Sequence, residues 1–146
     1  MTLQDLYEDH REIVRLGEKL IHIAAFDPPH MPELITARRE IAQAVARHLG
    51  NEARLALMPL GASTDAYDRA LARRYTSDLL SMRQSSSAHI GHWTMDAIAA
   101  DPREYRLAVR AQMRMMAARR QWEESEFLPA AERLAAGRRA PLLKAG

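Results

Sequence analysis

The chain has 146 residues, 47% of them hydrophobic, 27% charged and only 5% aromatic, and carries a formal net charge of +2. That length suits a single domain with a proper core, and a composition rich in Ala, Leu, Arg and Glu and poor in aromatic runs predicts an all-α fold. The absence of cysteine excludes disulfides and thiolate sites; no apolar run nears a membrane span of ~20 residues, and Met1–Asp5 lacks a secretory start, so a cytoplasmic protein is expected.

Helix 1 is predicted to begin after Thr2, with Asp5 completing a capping box, and to stop at about Ala25 before Phe26-Asp27-Pro28-Pro29. Pro32 suits the first turn of helix 2, which runs to about Met58 and is ended by Pro59 and Gly61. Helix 3 spans about Asp65 to Ala99, with a kink expected at Ser85-Ser86-Ser87, where serine side chains compete for backbone hydrogen bonds. Asp101-Pro102-Arg103-Glu104 is a clean start signal for helix 4, which extends to about Ala136. The helical domain is therefore placed at residues 1–137, followed by a loosely packed tail, 138–146. Short connections after helices 1 and 3 predict an up-down-up-down antiparallel four-helix bundle.

Polar residues interrupt the apolar stripes of these helices. Helix 1 reads Leu3, Leu6, Tyr7, His10, Val14, Gly17, Ile21, Ala24, and helix 2 reads Leu34, Ile41, Val45, His48, Glu52, Leu55. Both repeat in steps that keep one helix face inward, and a glutamate on such a face is costly unless a cation answers it. With the first turn centred near residue 28 or 29, His10 and His48 lie at about the same height, within ~3 Å along the axis, and Glu52 follows His48 by one turn. Two histidines and a carboxylate converging inside a bundle suit a first-row metal such as iron, zinc or manganese.

The helix 4 stripe is Tyr105, Val109, Met113, Met116, Arg119, Glu123, Phe127. Arg119 falls level with His10 and His48, and Glu123 follows it as Glu52 follows His48. The matching level on helix 3 is near Met82 and holds no histidine. His89 lies roughly 10 Å nearer the turn, an offset that a kink at the serine run would shorten. His22 is off the face of His10, His30 sits in the exposed turn, and His92 beside Trp93 reads as a rim residue. The methionines read as core filling, and Trp93 and Trp122 as partly buried anchors. The Arg doublets at Arg38, Arg73, Arg119 and Arg138 form no continuous basic stripe, which excludes nucleic acid as the expected partner.

Leu6-Tyr7-Glu8-Asp9-His10, His48-x-x-x-Glu52 with Leu57-Met58-Pro59, and Arg119-x-x-x-Glu123 with Phe127-Leu128-Pro129 together resemble the hemerythrin-like (HHE cation-binding) family. That resemblance spans nearly the whole chain and implies a four-helix bundle around a non-haem di-iron centre. On it, His10, His48 and Glu52 match one iron's half and Glu123 the second carboxylate. Arg119 stands where the family has a histidine, and the third-helix histidine is absent or displaced to His89 or His92. One iron ion or none is therefore expected in place of two, with Arg119 able to fill the lost position as a fixed cation.

No phosphate loop, nucleophile elbow or paired carboxylate cleft is present, and catalysis is not expected. Two functions follow. One is a partial iron site that senses or handles iron, oxygen, nitric oxide or redox state through a small diatomic ligand. The other is a metal-free regulatory bundle that works through a protein partner or a homodimer interface.

Overall fold

The computed structural model describes the backbone of residues 1–145 and the side chains of residues 1–138. The described residues are all-helical. Helix α1 covers Leu3–Ala24, α2 Met31–Glu52, α3 Met58–Gly61, α4 Ala66–His92, α5 Met95–Ala100, α6 Pro102–Trp122 and α7 Leu128–Ala145. Two single π turns, Ala53–Leu57 and Glu123–Phe127, join α2 to α3 and α6 to α7.

The start signals behave as their chemistry demands. The Thr2 backbone N–H donates to the Asp5 carboxylate at 2.6 Å, and the Glu104 N–H donates to Asp101 at 3.2 Å ahead of Pro102. Two stop signals do not. Pro59 does not end helix 2, because the chain widens into a π turn just before it. A proline removes its own N–H and crowds the carbonyl four residues earlier. Leu55 and Ser125, the residues so placed before Pro59 and Pro129, are the midpoints of the two π turns. Met58 then donates to the Ala53 carbonyl and Leu128 to that of Glu123, so both helices continue through the prolines.

Gly137 does not end the last helix either. It takes no left-handed cap conformation, and the helix continues to Ala145 through most of the segment expected as a tail; Gly146 lies outside the described residues. The expected kink at Ser85–Ser87 is also absent, as α4 is continuous to His92 and the break falls at Trp93-Thr94 instead.

Helix α1 packs against α2 and α6, while α4 meets α3, α6 and the second π turn. On α1 the deepest residues are Leu6, His10, Ile13, Leu16, Gly17, Leu20, Ile23 and Ala24. Ile13, Leu16 and Leu20 thus lie deeper than Val14 and Ile21, because α1 is covered on two sides and buries a wider stripe. At Gly17 a Cβ would sit 2.6 Å from Met113 Sδ, so glycine there permits the close approach of α1 and α6.

The core falls into two apolar clusters. One gathers Ile13, Leu16, Leu34, Ile41, Tyr105 and Val109, the other Leu6, Leu60, Tyr75, Phe127 and Leu128. His10 lies between Leu6 and Ile13 on α1, and His48 and Glu52 lie between Ala44 of the first cluster and Ala56 of the second. A polar layer therefore divides the core in two.

Candidate metal centre

That layer is held by rigid elements. Helical spacing puts His48 and Glu52 on one face of α2, His10 on the facing side of α1, and Glu123 at the head of the second π turn. All four are buried, Glu52 completely and Glu123 to within 3% exposure. One ligand atom from each lies within 4.8 Å of the other three.

The distances describe a shared point. His10 Nε2 is 3.0 Å from His48 Nε2 and 3.0 Å from Glu123 Oε2. Glu52 Oε2 is 3.1 Å from His48 Nε2 and 3.7 Å from His10 Nε2. Metal–nitrogen bonds of about 2.1 Å separate neighbouring ligand atoms by about 3.0 Å at a right angle and about 3.4 Å in a tetrahedron. The three separations of 3.0–3.1 Å fit such edges, while the 3.7 Å pair and the 4.8 Å outer limit are wider, so the set closes around an ion only with a small inward shift of its carboxylates.

The other atom of each side chain is occupied from outside. His10 Nδ1 lies 3.3 Å from Glu124 Oε1, and His48 Nδ1 lies 3.2 Å from Asp9 Oδ2. The Tyr75 hydroxyl donates to Glu52 Oε1 at 2.7 Å, and Arg119 Nε forms an ion pair with Glu123 Oε1 at 3.0 Å. A carboxylate on Nδ1 calls for a proton there, which leaves the Nε2 lone pair free. Two nitrogen and two oxygen lone pairs then face one point, and either a cation or a proton on one of the Nε2 atoms relieves their repulsion. Glu52 Oε2 accordingly has no aligned donor among the described residues, although two imidazoles approach it.

Titration follows the same logic. Burial opposes charge on His10, but Glu123 and Glu52 outweigh it and push the pKa up to about 10. His48 is also raised: burial and the charge of His10 oppose its protonation, but Glu52 and Asp9 prevail. Burial works against the Glu52 carboxylate too, yet His10, His48 and Tyr75 hold its pKa below the usual range. Glu123 is shifted upward, by burial first and by the charge of Glu52 next, against His10 and Arg119. With no metal the layer holds a proton where the cation would sit.

Arg119 points inward. Its guanidinium carbon lies 4.4 Å over the Tyr75 ring, and its two terminal nitrogens are buried with no hydrogen-bond partner among the described residues. It answers the outer oxygen of Glu123 and leaves the four-ligand point clear. A void of about 40 Å3 adjoins His10, His48, Glu123 and Arg119, walled by Ile13, Val45, Met82 and Met116. Glu52 does not line it, so the void lies beside an open side of the ligand set and has room for one small molecule.

The structure does not bring His89 to this centre. His89 stacks on Tyr105 at 6.1 Å between ring centroids, and α4, lacking the expected kink, keeps it there. His92 packs edge-on against Trp93, and His22 and His30 flank Phe26 at the exposed turn. Trp93 and Trp122 are buried, while Met113 and Met116 are only partly buried and line open space. Sequence reasoning missed Asp9, Glu124 and Tyr75. Asp9 and Glu124 adjoin ligands in the chain, but each serves a histidine on another helix. Compared with protein-family models, curated proteins and solved structures, the chain matches none.

Proposed function

We propose that this protein is a hemerythrin-like, antiparallel four-helix bundle that holds one non-haem iron ion through His10, His48, Glu52 and Glu123. Its role in this reading is to sense or handle iron, oxygen, nitric oxide or redox state, not to catalyse. The observation that carries the proposal is the outward partner on each of the four ligands. Such outer partners orient ligands and set tautomers, and a merely hydrogen-bonded polar core has no need to aim four lone pairs at one point. Imidazole and carboxylate together suit iron, zinc or manganese, and two histidines with carboxylates beside an open position favour ferrous iron.

When bound, the ion supplies a Lewis-acidic, redox-active centre. The chain's own residues do the rest. Asp9 and Glu124 keep Nε2 of each histidine free, Tyr75 turns Glu52, and Ile13, Val45, Met82 and Met116 give the small void apolar walls. Arg119 takes the half of the layer in which the resemblance implies a second iron, which favours one ion over two.

A second reading rests on Arg119 itself. With a guanidinium already facing Glu123, the layer also serves a metal-free module that acts through a protein partner or homodimer. Elemental analysis of anaerobically purified protein separates the two. One equivalent of iron in the wild type, lost in His10→Ala, is the expected result. No metal in the wild type but iron gained by Arg119→His would overturn it in favour of the metal-free reading.

A further inference from the structure

A cavity of about 1070 Å3 lies between α2, α4 and α6 and abuts the metal layer, sharing Val45, Leu49, Met82 and Met116 with the small void there. Its lining begins at Ile35 on α2 and reaches Leu57, a run of roughly 30 Å at the helical rise. This volume is at the upper end for a small-molecule site. The length makes it a channel and not a bowl.

The cavity has two different ends. Toward the metal layer the walls are apolar, with Val45, Leu49, Leu79, Met82, Met113 and Met116. At the far end stand Arg38, Arg39, His89 and Tyr105, with Arg83 along one rim. None of these three arginines has a carboxylate within ion-pair distance among the described residues. The guanidinium of Arg38 lies 5.8 Å from the Tyr105 ring centroid. Tyr105 is 1% exposed, and its hydroxyl is buried with no hydrogen-bond partner among the described residues. An orphaned buried hydroxyl costs free energy in the empty protein, and a ligand that accepts from it recovers that cost.

Helix α4 shows the same incompleteness. Its buried residues are Asp68, Leu71, Ala72 and Tyr75, and none is buried from Thr76 to His92. A long helix segment beside apolar walls, with no core of its own, lacks an occupant.

We infer that this channel binds a long-chain fatty acid, its carboxylate held by Arg38 and the Tyr105 hydroxyl and its alkyl chain laid along Met113, Met82 and Leu49 toward the metal layer. A linear apolar chain matches the length and lining of the channel, and an anionic head matches the unpaired arginines. The methionines adapt to a flexible chain better than branched residues would. The inference does not depend on metal at His10 and His48.

The test is a titration of the full chain, both iron-loaded and chelator-stripped, with 11-(dansylamino)undecanoate and its displacement by palmitate. Trp93, whose ring lies 5.4 Å from that of Tyr105, offers a second readout by emission. Displacement at one site per chain in both forms is expected. Arg38→Ala weakens palmitate at least tenfold but hexadecanol less than twofold, since the alcohol lacks the charge. Tyr105→Phe weakens palmitate several-fold and raises the melting temperature of the ligand-free protein. No displacement by palmitate would overturn the inference, as would an equal loss for palmitate and hexadecanol in Arg38→Ala. A doubled mass by sedimentation with the channel closed to both ligands would overturn it too, and would make the face an interface between two copies.

Discussion

At the scale of single residues, the layer is a set of divided side chains, one atom turned inward and one held from outside. The outer bonds set the tautomers and rotamers, so losing one should loosen the inner geometry without emptying the site. Tyr75→Phe and Asp9→Asn should each lower metal affinity by about 10–100-fold, measured by competition with a chromophoric chelator. Affinities equal to wild type in both would detach the outer partners from metal binding. The pH behaviour of chelator-stripped protein follows from His10, whose folded pKa of about 10 lies above its unfolded value. Its proton stabilises fully below the unfolded pKa and that contribution is lost as pH rises through 10. His48 shifts in the same direction and adds to the effect. Melting temperature in the stripped protein should therefore fall between pH 7 and 10, and His10→Ala should flatten that fall. Iron should remove it as well, because metal replaces the proton.

At the scale of elements, each π turn carries one residue more than an α-helical turn spanning the same length. The surplus lets α2 and α6 pass their prolines while Glu52, Ala56 and Leu60 all stay buried. Deleting exposed Arg54 from the first π turn should restore α geometry and so lower stability by crowding Pro59 against the preceding turn, yet leave His48 and Glu52 in register and preserve metal stoichiometry. Deleting exposed Arg47 should rotate His48 and Glu52 by about 100° relative to the preceding stripe and abolish metal binding. Metal content distinguishes the two, and equal loss of metal in both would mean that the π turn is not a register device. Neither π turn was legible in the sequence. Both prolines were visible, but Pro59 read as a stop signal and Pro129 as an ordinary helix position, because local propensity cannot show whether packing beyond a proline holds the helix together.

At the scale of the whole molecule, a buried polar layer of this kind lowers stability unless a cation answers it. Replacing it as a unit (His10→Leu, His48→Leu, Glu52→Met, Glu123→Leu, Arg119→Met and Tyr75→Phe) should stabilise the metal-free protein by about 1–4 kcal/mol. Chemical denaturation measures this, and a large loss would make the layer a structural device. In the wild type, ferrous iron at a hundredfold excess over Kd should add about 2.7 kcal/mol. For a domain of this size that raises the melting temperature by about 5–10 °C. Chelator should reverse the rise, and His10→Ala should not respond. A melting temperature indifferent to iron and chelator would remove the metal from the proposed function.

The amino-acid sequence by itself determined the all-helical class and the inward faces of His10, His48, Glu52 and Glu123. Helical period and rise are local properties, and they carry a residue's face and height across a short turn. Tertiary structure alone decided the rest. Asp9 serves His48 and Glu124 serves His10 only because α1, α2 and the second π turn meet at one level. Arg119 has a stem long enough to point either way, and it turned inward because the Tyr75 face and the Glu123 carboxylate lie there. The channel beneath α4 belongs to no single helix. It exists because the distal half of α4 stands off from α2 and α6, and periodicity within one helix holds no information about its distance from another.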